Sequence, residues 1–249
     1  MPSDIDIMIS FRCFRRTAQV VVCVSRFHVK IDKVETPMED SKQARLEAAS
    51  NPCRATLDDA VQLSYLFATA FMDDPIFDYM VRPGAGRRAA LGLFFRELFS
   101  ARDIPQNEVW MSPDGAACVS WLAPDARHSP GGVLQKLSWV PFFFKVSGIA
   151  RVGRILALLE AMAKNHPQER HFYLAYAAVS PEFQGNGLGS RLVRATLERI
   201  DEASMPVYVE SSNPKNINFY ERLGFVARQN IAPDGAPPLV SMWRDARRQ

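Results

Sequence analysis

The chain of 249 residues predicts an α/β fold in which a mixed sheet is flanked by helices. Two observations carry that expectation. From His171 to Ile231, strand-like and helix-like segments alternate at short loop spacing, five elements in succession. Further upstream, two apolar β segments enclose Ser112-Pro113-Asp114-Gly115, a turn-forming run that predicts a hairpin.

Taken in order, residues 1–52 read as an N-terminal extension, expected to be poorly ordered, with β-rich runs at Val20–Val24 and Phe27–Ile31 and a mixed-charge stretch after them. Met38 is a second candidate start. The domain is expected over 53–249. Thr56 before Asp58 and Asp59 is a helix-start pattern, and Ala60, Leu63, Phe67 and Phe71 recur at helical spacing. A second helix is expected over Arg87–Ala101, with Met72–Gly86 between them as a loop, given Asp73, Asp74, Pro75, Pro83 and two glycines. The hairpin strands are Glu108–Met111 and Ala116–Leu122. A helical insert follows at about 131–165, with Ile155, Leu158, Leu159 and Met162 on one stripe and a break near Pro141 or Gly148. His171–Val179 is then a buried strand, Leu188–Ala203 a helix, Val207–Val209 a strand, Pro214–Arg222 a helix and Phe225–Ile231 a strand. Leu239–Trp243 offers a last strand before an arginine-rich end.

Composition excludes several classes. A hydrophobic share of 47%, a charged share of 23% and 13 glycines describe an ordinary globular chain. Thirty basic against 27 acidic residues leave +3, which does not suit a nucleic-acid partner. The cysteines, at 13, 23, 53 and 118, form no Cys-x-x-Cys pair, so neither a zinc site nor a dithiol is expected, and no metal is assigned. The apolar runs Thr17–Ser25 and Leu137–Phe144 are far shorter than a membrane span, and no membrane partner is expected. Arginines flank the first run in the manner of a targeting peptide, but Asp4 and Asp6 precede it and no small-residue cleavage site follows, so a cytoplasmic location is expected.

The chemistry concentrates in two stretches. Gln184-Gly185-Asn186-Gly187-Leu188-Gly189-Ser190 joins a strand to a helix, where backbone N–H groups meet the positive end of a helix dipole. Glycines there leave room for a ligand and permit positive φ, so a diphosphate or larger ligand is expected. The third glycine of a dinucleotide fingerprint and the Gly-Lys-Ser/Thr of a P-loop are both missing. In the second stretch, Asn213 is a good N-cap, Pro214 suits the first helical position and Gly224 can end the helix in a left-handed conformation. No Gly-x-Ser-x-Gly elbow appears and no cysteine lies near either motif, so no acyl-enzyme nucleophile is on offer.

Gln184-x-x-Gly187-x-Gly189 resembles the Q/R-x-x-G-x-G/A signature of the GNAT N-acetyltransferases, and the run from Glu210 through Asn213, Asn216 and Tyr220 to Phe225 resembles the asparagine-to-tyrosine motif that closes their domain. The two occur in the family's order and separation and cover Phe172–Ile231. Within the family, Phe172-Tyr-Leu-Ala175, Val179-Ser-Pro and Phe219-Tyr-Glu-Arg-Leu-Gly-Phe are similar to the puromycin N-acetyltransferase type, with weaker similarity at Ala70-Phe71, Asp74-Pro75, Asp114-Gly-Ala-Ala and Trp121. Tyr176 stands where that type has a smaller residue and is expected to reshape the acceptor pocket.

The resemblance implies a GNAT fold with a mostly antiparallel sheet, and direct transfer of acetyl from acetyl-CoA to a primary amine of a small molecule, puromycin-like or other xenobiotic amines being the candidates. It also implies a monomer or weak dimer. Two alternatives stand beside it, a protein N-terminal or lysine acetyltransferase and a catalytically silent CoA-binding module. The loop 184–190 would grip the pyrophosphate, the backbone of Ala177, Ala178 and Val179 would pair with the pantetheine, and Asn213 or Asn216 would assist. Tyr220 is the expected proton donor to the leaving thiolate and Glu210 the candidate base, with a surface carboxylate or loop cap as its plain alternative. The acceptor side is expected to draw on Phe71, Asp73, Asp74, Phe77, Trp121 and Tyr176, with Trp110 and Trp139 as further aromatics. Turn and core roles would account for the same aspartates and tryptophans. The histidines have no ligand spacing and receive no chemistry.

Overall fold

The computed structural model describes residues 38–106, 108–125, 139–233 and 235–247, all inside one compact unit, Thr36–Gln249. The β-rich runs expected before residue 32, and residues 126–138, which include His128 and the start of the expected insert, lie outside the described residues.

The described chain runs α1 (Met38–Ser50), β1 (Cys53–Arg54), α2 (Ala60–Ala70), α3 (Pro75–Met80), α4 (Arg87–Leu98), β2 (Glu108–Met111) and β3 (Ala117–Leu122). It continues with α5 (Val140–Ser147), α6 (Ile149–Asn165), β4 (Phe172–Val179), α7 (Leu188–Glu202), β5 (Val207–Ser211), α8 (Ile217–Glu221), β6 (Val226–Ile231) and β7 (Leu239–Arg244). Seven strands form one sheet in the order β1-β2-β3-β4-β5-β7-β6. Only β4 and β5 pair in parallel; every other neighbouring pair is antiparallel.

Each face of the sheet carries its own core. On one side α2, α3, α4, α5 and α6 pack over Cys118 and Ala178. On the other, α7 and α8 pack over Ala117, Val119, Trp121, Leu174, Val207 and Val209, and α1 adds Ala49. Within the segment expected to be an extension, therefore, α1 is a helix that packs along α7.

Local chemistry explains the helix starts. The Asp59 carboxylate accepts from the Thr56 amide at 3.0 Å and its hydroxyl at 2.9 Å, closing a capping box ahead of α2. The Met72–Gly86 loop is corrected by α3: Asp74 caps it by accepting from the amides of Ile76 and Phe77, and Pro75 fills its first position, where a missing N–H costs nothing. Gly148 (φ 76°), not Pro141, breaks the insert, since Pro141 sits harmlessly in the first turn of α5. The last strand ends on a buried arginine: Arg244 pairs with Asp201 through two nitrogens at 2.6 and 2.7 Å and donates to the Leu223 carbonyl at 3.0 Å.

Aromatic packing dominates the first core. Phe67, fully buried, has ring centroids of Phe95 and Phe99 at 5.2 and 4.9 Å and of Tyr176 at 6.4 Å. Phe67→Ala leaves a cavity that this interlocked cluster cannot close, and a loss of about 3–5 kcal/mol is expected in denaturant unfolding. A loss near zero would mean that the cluster is loosely packed.

Candidate active site

The centre of the sheet opens. β4 and β5 pair at Phe172–Val207, Tyr173–Tyr208 and Leu174–Val209, and then the parallel ladder stops although β4 runs on to Val179 and β5 to Ser211. On its other edge β4 stays paired to β3, with Ser120 opposite Tyr176 and Trp121 opposite Leu174, so Ala175 is an extra residue. This bulge switches the alternation of the strand. Leu174 belongs to the core under α7, whereas Tyr176 turns to the opposite face, toward Phe67, Phe71 and Phe95.

At the end of β4 the glycine loop enters α7. Gly185 has φ 76°, and Gly187, the residue before α7, has φ 85°, both in the left-handed region. Gly187 brings no side chain to cap the helix, so the first amides of α7 have no side-chain acceptor. Gly189 meets a different demand: a Cβ there would lie 3.1 Å from Val179 Cγ2, so helix and strand approach at a distance only glycine allows without displacement. Gln184 donates from Nε2 to the Val179 carbonyl at 3.0 Å and ties the loop to the strand. Asn186 turns inward to the carbonyls of Phe183 and Gln184. The Arg45 guanidinium of α1 lies 4.1 Å over the Phe183 ring and pairs with Asp114 at 2.6 Å.

Where β4 and β5 part, a cavity of about 410 Å³ opens between the sheet and the helices of the first face. Phe71, Phe77, Tyr176, Ala177, Glu210, Asn216 and Tyr220 all line it. Glu210 shares a face with Tyr208 two residues earlier on β5, as strand alternation requires. Its Oε2 accepts from the Tyr173 hydroxyl at 2.9 Å and its Oε1 from the Tyr208 hydroxyl at 3.0 Å. Burial raises the Glu210 pKa, and the two tyrosine hydrogen bonds only partly oppose that rise. His166 lies edge-on to the rings of Tyr173 and Tyr208, at 5.4 and 5.1 Å, and its Nε2 is 3.1 Å from that of His171.

Tyr220, on α8, is buried between Phe219 and Phe225, with ring centroids 5.0 and 5.7 Å away. Burial, and then the nearby Asp74 carboxylate, push its phenol well above the ordinary value, so it is fully protonated at neutral pH. Asp74 is itself buried and hydrogen-bonded by the Ser212 hydroxyl, so it links the start of α3 to the loop before α8. Burial raises its pKa, with the hydrogen bonds from Ser212, Phe77 and Ile76 acting in the opposite direction.

Several expected residues go elsewhere. Asp73 is exposed on the turn before α3. Trp121 is 1% exposed in the core under α7, because β3 alternates and places it on the far face from the cavity. Trp110 faces that side too, beneath the guanidinium groups of Arg54 and Arg199. Trp139, by contrast, lines the cavity. Asn213 uses its side chain to cap the turn before α8, accepting from the Lys215 amide at 3.0 Å, so of the two asparagines it is Asn216 that reaches the cavity. Among the described residues no group of three His, Cys, Asp or Glu is arranged to hold a metal ion.

Sequence reasoning missed three polar residues of the site. Strand alternation, which puts Tyr208 on the face of Glu210, is the signal for Tyr208, and Tyr173 joins them only through the register of β4 against β5. Arg102 lies on a π-helical turn, Phe99–Asp103, and lines the cavity with no sequence signal at all.

Comparison with known proteins follows the same lines. The model of the Acetyltransferase (GNAT) family matches residues 117–225. An uncharacterized N-acetyltransferase of Schizosaccharomyces pombe is 36% identical over 170 residues, 65% of this chain and 68% of that protein. Among solved structures, one from Corynebacterium glutamicum described as histone acetyltransferase HPA2 and related acetyltransferase has a TM-score of 0.60 at 23% identity, covering 80% of this chain and 97% of the other. Arylalkylamine N-acetyltransferase 2 from Aedes aegypti has a TM-score of 0.54 at 13% identity, with 79% and 98% covered. At such identities these two likenesses speak to the fold.

Proposed function

We propose, for a chain that belongs to the GNAT acetyltransferase family, that acetyl passes directly from acetyl-CoA to the primary amine of a small molecule held in the cavity beside β4. The observation that carries the reading is the meeting of Glu210 and Tyr220 on one cavity at the point where β4 loses its partner strand.

The residues present fit acetyl-CoA. The β4 edge past Leu174 has no ladder partner and offers backbone groups to a pantetheine arm at Ala177, Ala178 and Val179. The uncapped amides at Leu188, Gly189 and Ser190, behind Gly185 and Gly187, suit a pyrophosphate. Gln184 and Asn186 hold that loop to itself and to β4, and Asn216 reaches the cavity side. Bound there, acetyl-CoA supplies an activated thioester.

Glu210 takes the proton that the ammonium must lose before its lone pair forms the new C–N bond. Tyr220 gives its proton to the sulfur as the C–S bond breaks. The second proton, shed by the nitrogen as the intermediate collapses, returns to the Tyr220 oxygen, and Glu210 releases its proton to solvent. No atom of the protein becomes acetylated, and catalysis rests on juxtaposition and proton transfer. A cavity of about 410 Å³ with mostly apolar walls favours a small acceptor, puromycin-like or another xenobiotic amine, over a protein chain.

Gly187→Ala probes the phosphate grip. A Cβ there meets only Leu46 Cδ2 at 3.8 Å, so the cost is the positive φ itself, about 1–2 kcal/mol. Strain at the helix start is expected to weaken acetyl-CoA binding by about tenfold in calorimetric titration. Unchanged affinity would remove this helix end from the binding site.

The overall test is to incubate the protein with acetyl-CoA and a panel of puromycin, polyamines, aminoglycosides, apolar amines and peptides, reading the mass of each. Small amines gain acetyl if the reading holds. Acetylation confined to peptides would overturn it.

A further inference from the structure

We propose that the acceptor is an amine with an apolar or aromatic body and a carboxylate close to its nitrogen, a large apolar amino acid being the simplest member, and that Arg102 selects the carboxylate. This rests on the transferase reading above and narrows it.

The wall of the cavity presents two charges separated by a phenol. Glu210 stands where β5 leaves β4. Tyr176, turned inward by the Ala175 bulge, is hydrogen-bonded to Arg102 and also feels the charge of Glu210, and burial pushes its pKa up to about 12. Arg102 completes the row. Its Nε donates to Asp103 at 2.7 Å, and Asp103, fully buried, also accepts from the Ser120 hydroxyl on β3 at 2.7 Å. The guanidinium is therefore fixed in direction by a carboxylate that β3 itself anchors. Its carrier is the π-helical turn after α4, a type of distortion found often at functional sites.

The other walls have a different chemistry. Phe71, Phe77, Phe94, Trp139, Phe143 and Met162 surround the remaining space. A guanidinium held beside so much apolar surface carries a desolvation cost, which Asp103 offsets. A planar fork fixed in this way matches a carboxylate in both shape and charge. An ammonium for Glu210, a carboxylate for Arg102 and Tyr176, and an apolar body for the phenylalanine wall are complementary to three neighbouring regions of one cavity. A plain arylalkylamine offers Arg102 no carboxylate, and a peptide N-terminus carries an amide where the carboxylate would be.

The experiment compares three acceptors that share a ring and an amine: phenylalanine, phenylalanine amide and phenethylamine. With acetyl-CoA and the wild-type protein, kcat/KM for phenylalanine is expected to exceed that for either of the others by about tenfold or more, the worth of a charge-assisted hydrogen bond. In Arg102→Gln the ratio is expected to fall to near parity, through KM for phenylalanine, and Arg102→Lys is expected to keep part of it. Thermal melts verify that the variants fold, and the wild-type ratio decides alone if they do not. Phenethylamine or the amide acetylated as well as phenylalanine overturns the carboxylate requirement while the transferase reading stands. An unchanged ratio in a folded Arg102→Gln protein, with all three rates lowered alike, leaves Arg102 as the counter-ion of Asp103 only and overturns its selecting role. No product from any amine, with no thiol released, overturns both readings together.

Discussion

Replacing Tyr220 by phenylalanine is expected to lower turnover by about 100-fold or more, the usual worth of a positioned proton donor, with acetyl-CoA affinity nearly unchanged. The variant keeps the ring, and so the contacts with Phe219 and Phe225, and loses only the hydroxyl. Because burial and Asp74 hold the phenol protonated, the proton is present throughout the working range, and removing it costs turnover at every pH rather than on one limb of the profile. Measured as kcat beside a calorimetric Kd, the effect falls on kcat alone. A phenylalanine variant of equal turnover would take Tyr220 out of the reaction.

Glu210→Gln is expected to cost about 10²- to 10⁴-fold in kcat/KM near neutral pH, and its pH profile is as informative as its size. Glu210 must be ionised to accept a proton, and burial lifts its pKa, so the acid limb of the wild-type profile should lie above the ordinary carboxylate range, with activity lost as pH falls through it. The glutamine variant should lose that limb. Its deficit should narrow at high pH, where the amine is already free and needs no base. Tyr173→Phe tests the environment separately. It removes a hydrogen bond that favours the charged carboxylate, which raises the Glu210 pKa further, and the acid limb should move to higher pH. A limb that stays in place after Tyr173→Phe, or survives in Glu210→Gln, would assign the titration to another group.

The sequence carried most of the domain after residue 53, because its elements are written in local chemistry. The Thr56 cap, the Pro-Asp-Gly hairpin, the glycines before α7 and the Asn213-Pro214 start all act within a few residues of themselves. The helix α3 was legible in the same terms, since Asp74-Pro75 is a cap followed by a first-turn proline, but its six residues are too few to show a period. Which aromatic residues meet the cavity is not legible where the strand face decides. Trp121 and Trp110 are as apolar as Phe71, and only the register of β3 against β4 tells which face meets the cavity. The Ala175 bulge that turns Tyr176 inward is a tertiary event, as is the π turn that brings Arg102 to the wall. Asp74, an acceptor candidate in sequence, is buried, accepts from the Ser212 hydroxyl 138 positions away in the chain, and its charge raises the Tyr220 pKa.

Direct transfer in this cavity can be tested by intact-mass analysis of protein and amine in one time course, with acetyl-CoA present and an apolar small amine either added or withheld. Acetyl should appear on the amine in step with released thiol, and the protein should keep its mass in both arms. Acetyl found on the protein before it reaches the amine, or thiol release that never yields an acetylated amine, would contradict a ternary complex in which Glu210 and Tyr220 carry the two protons.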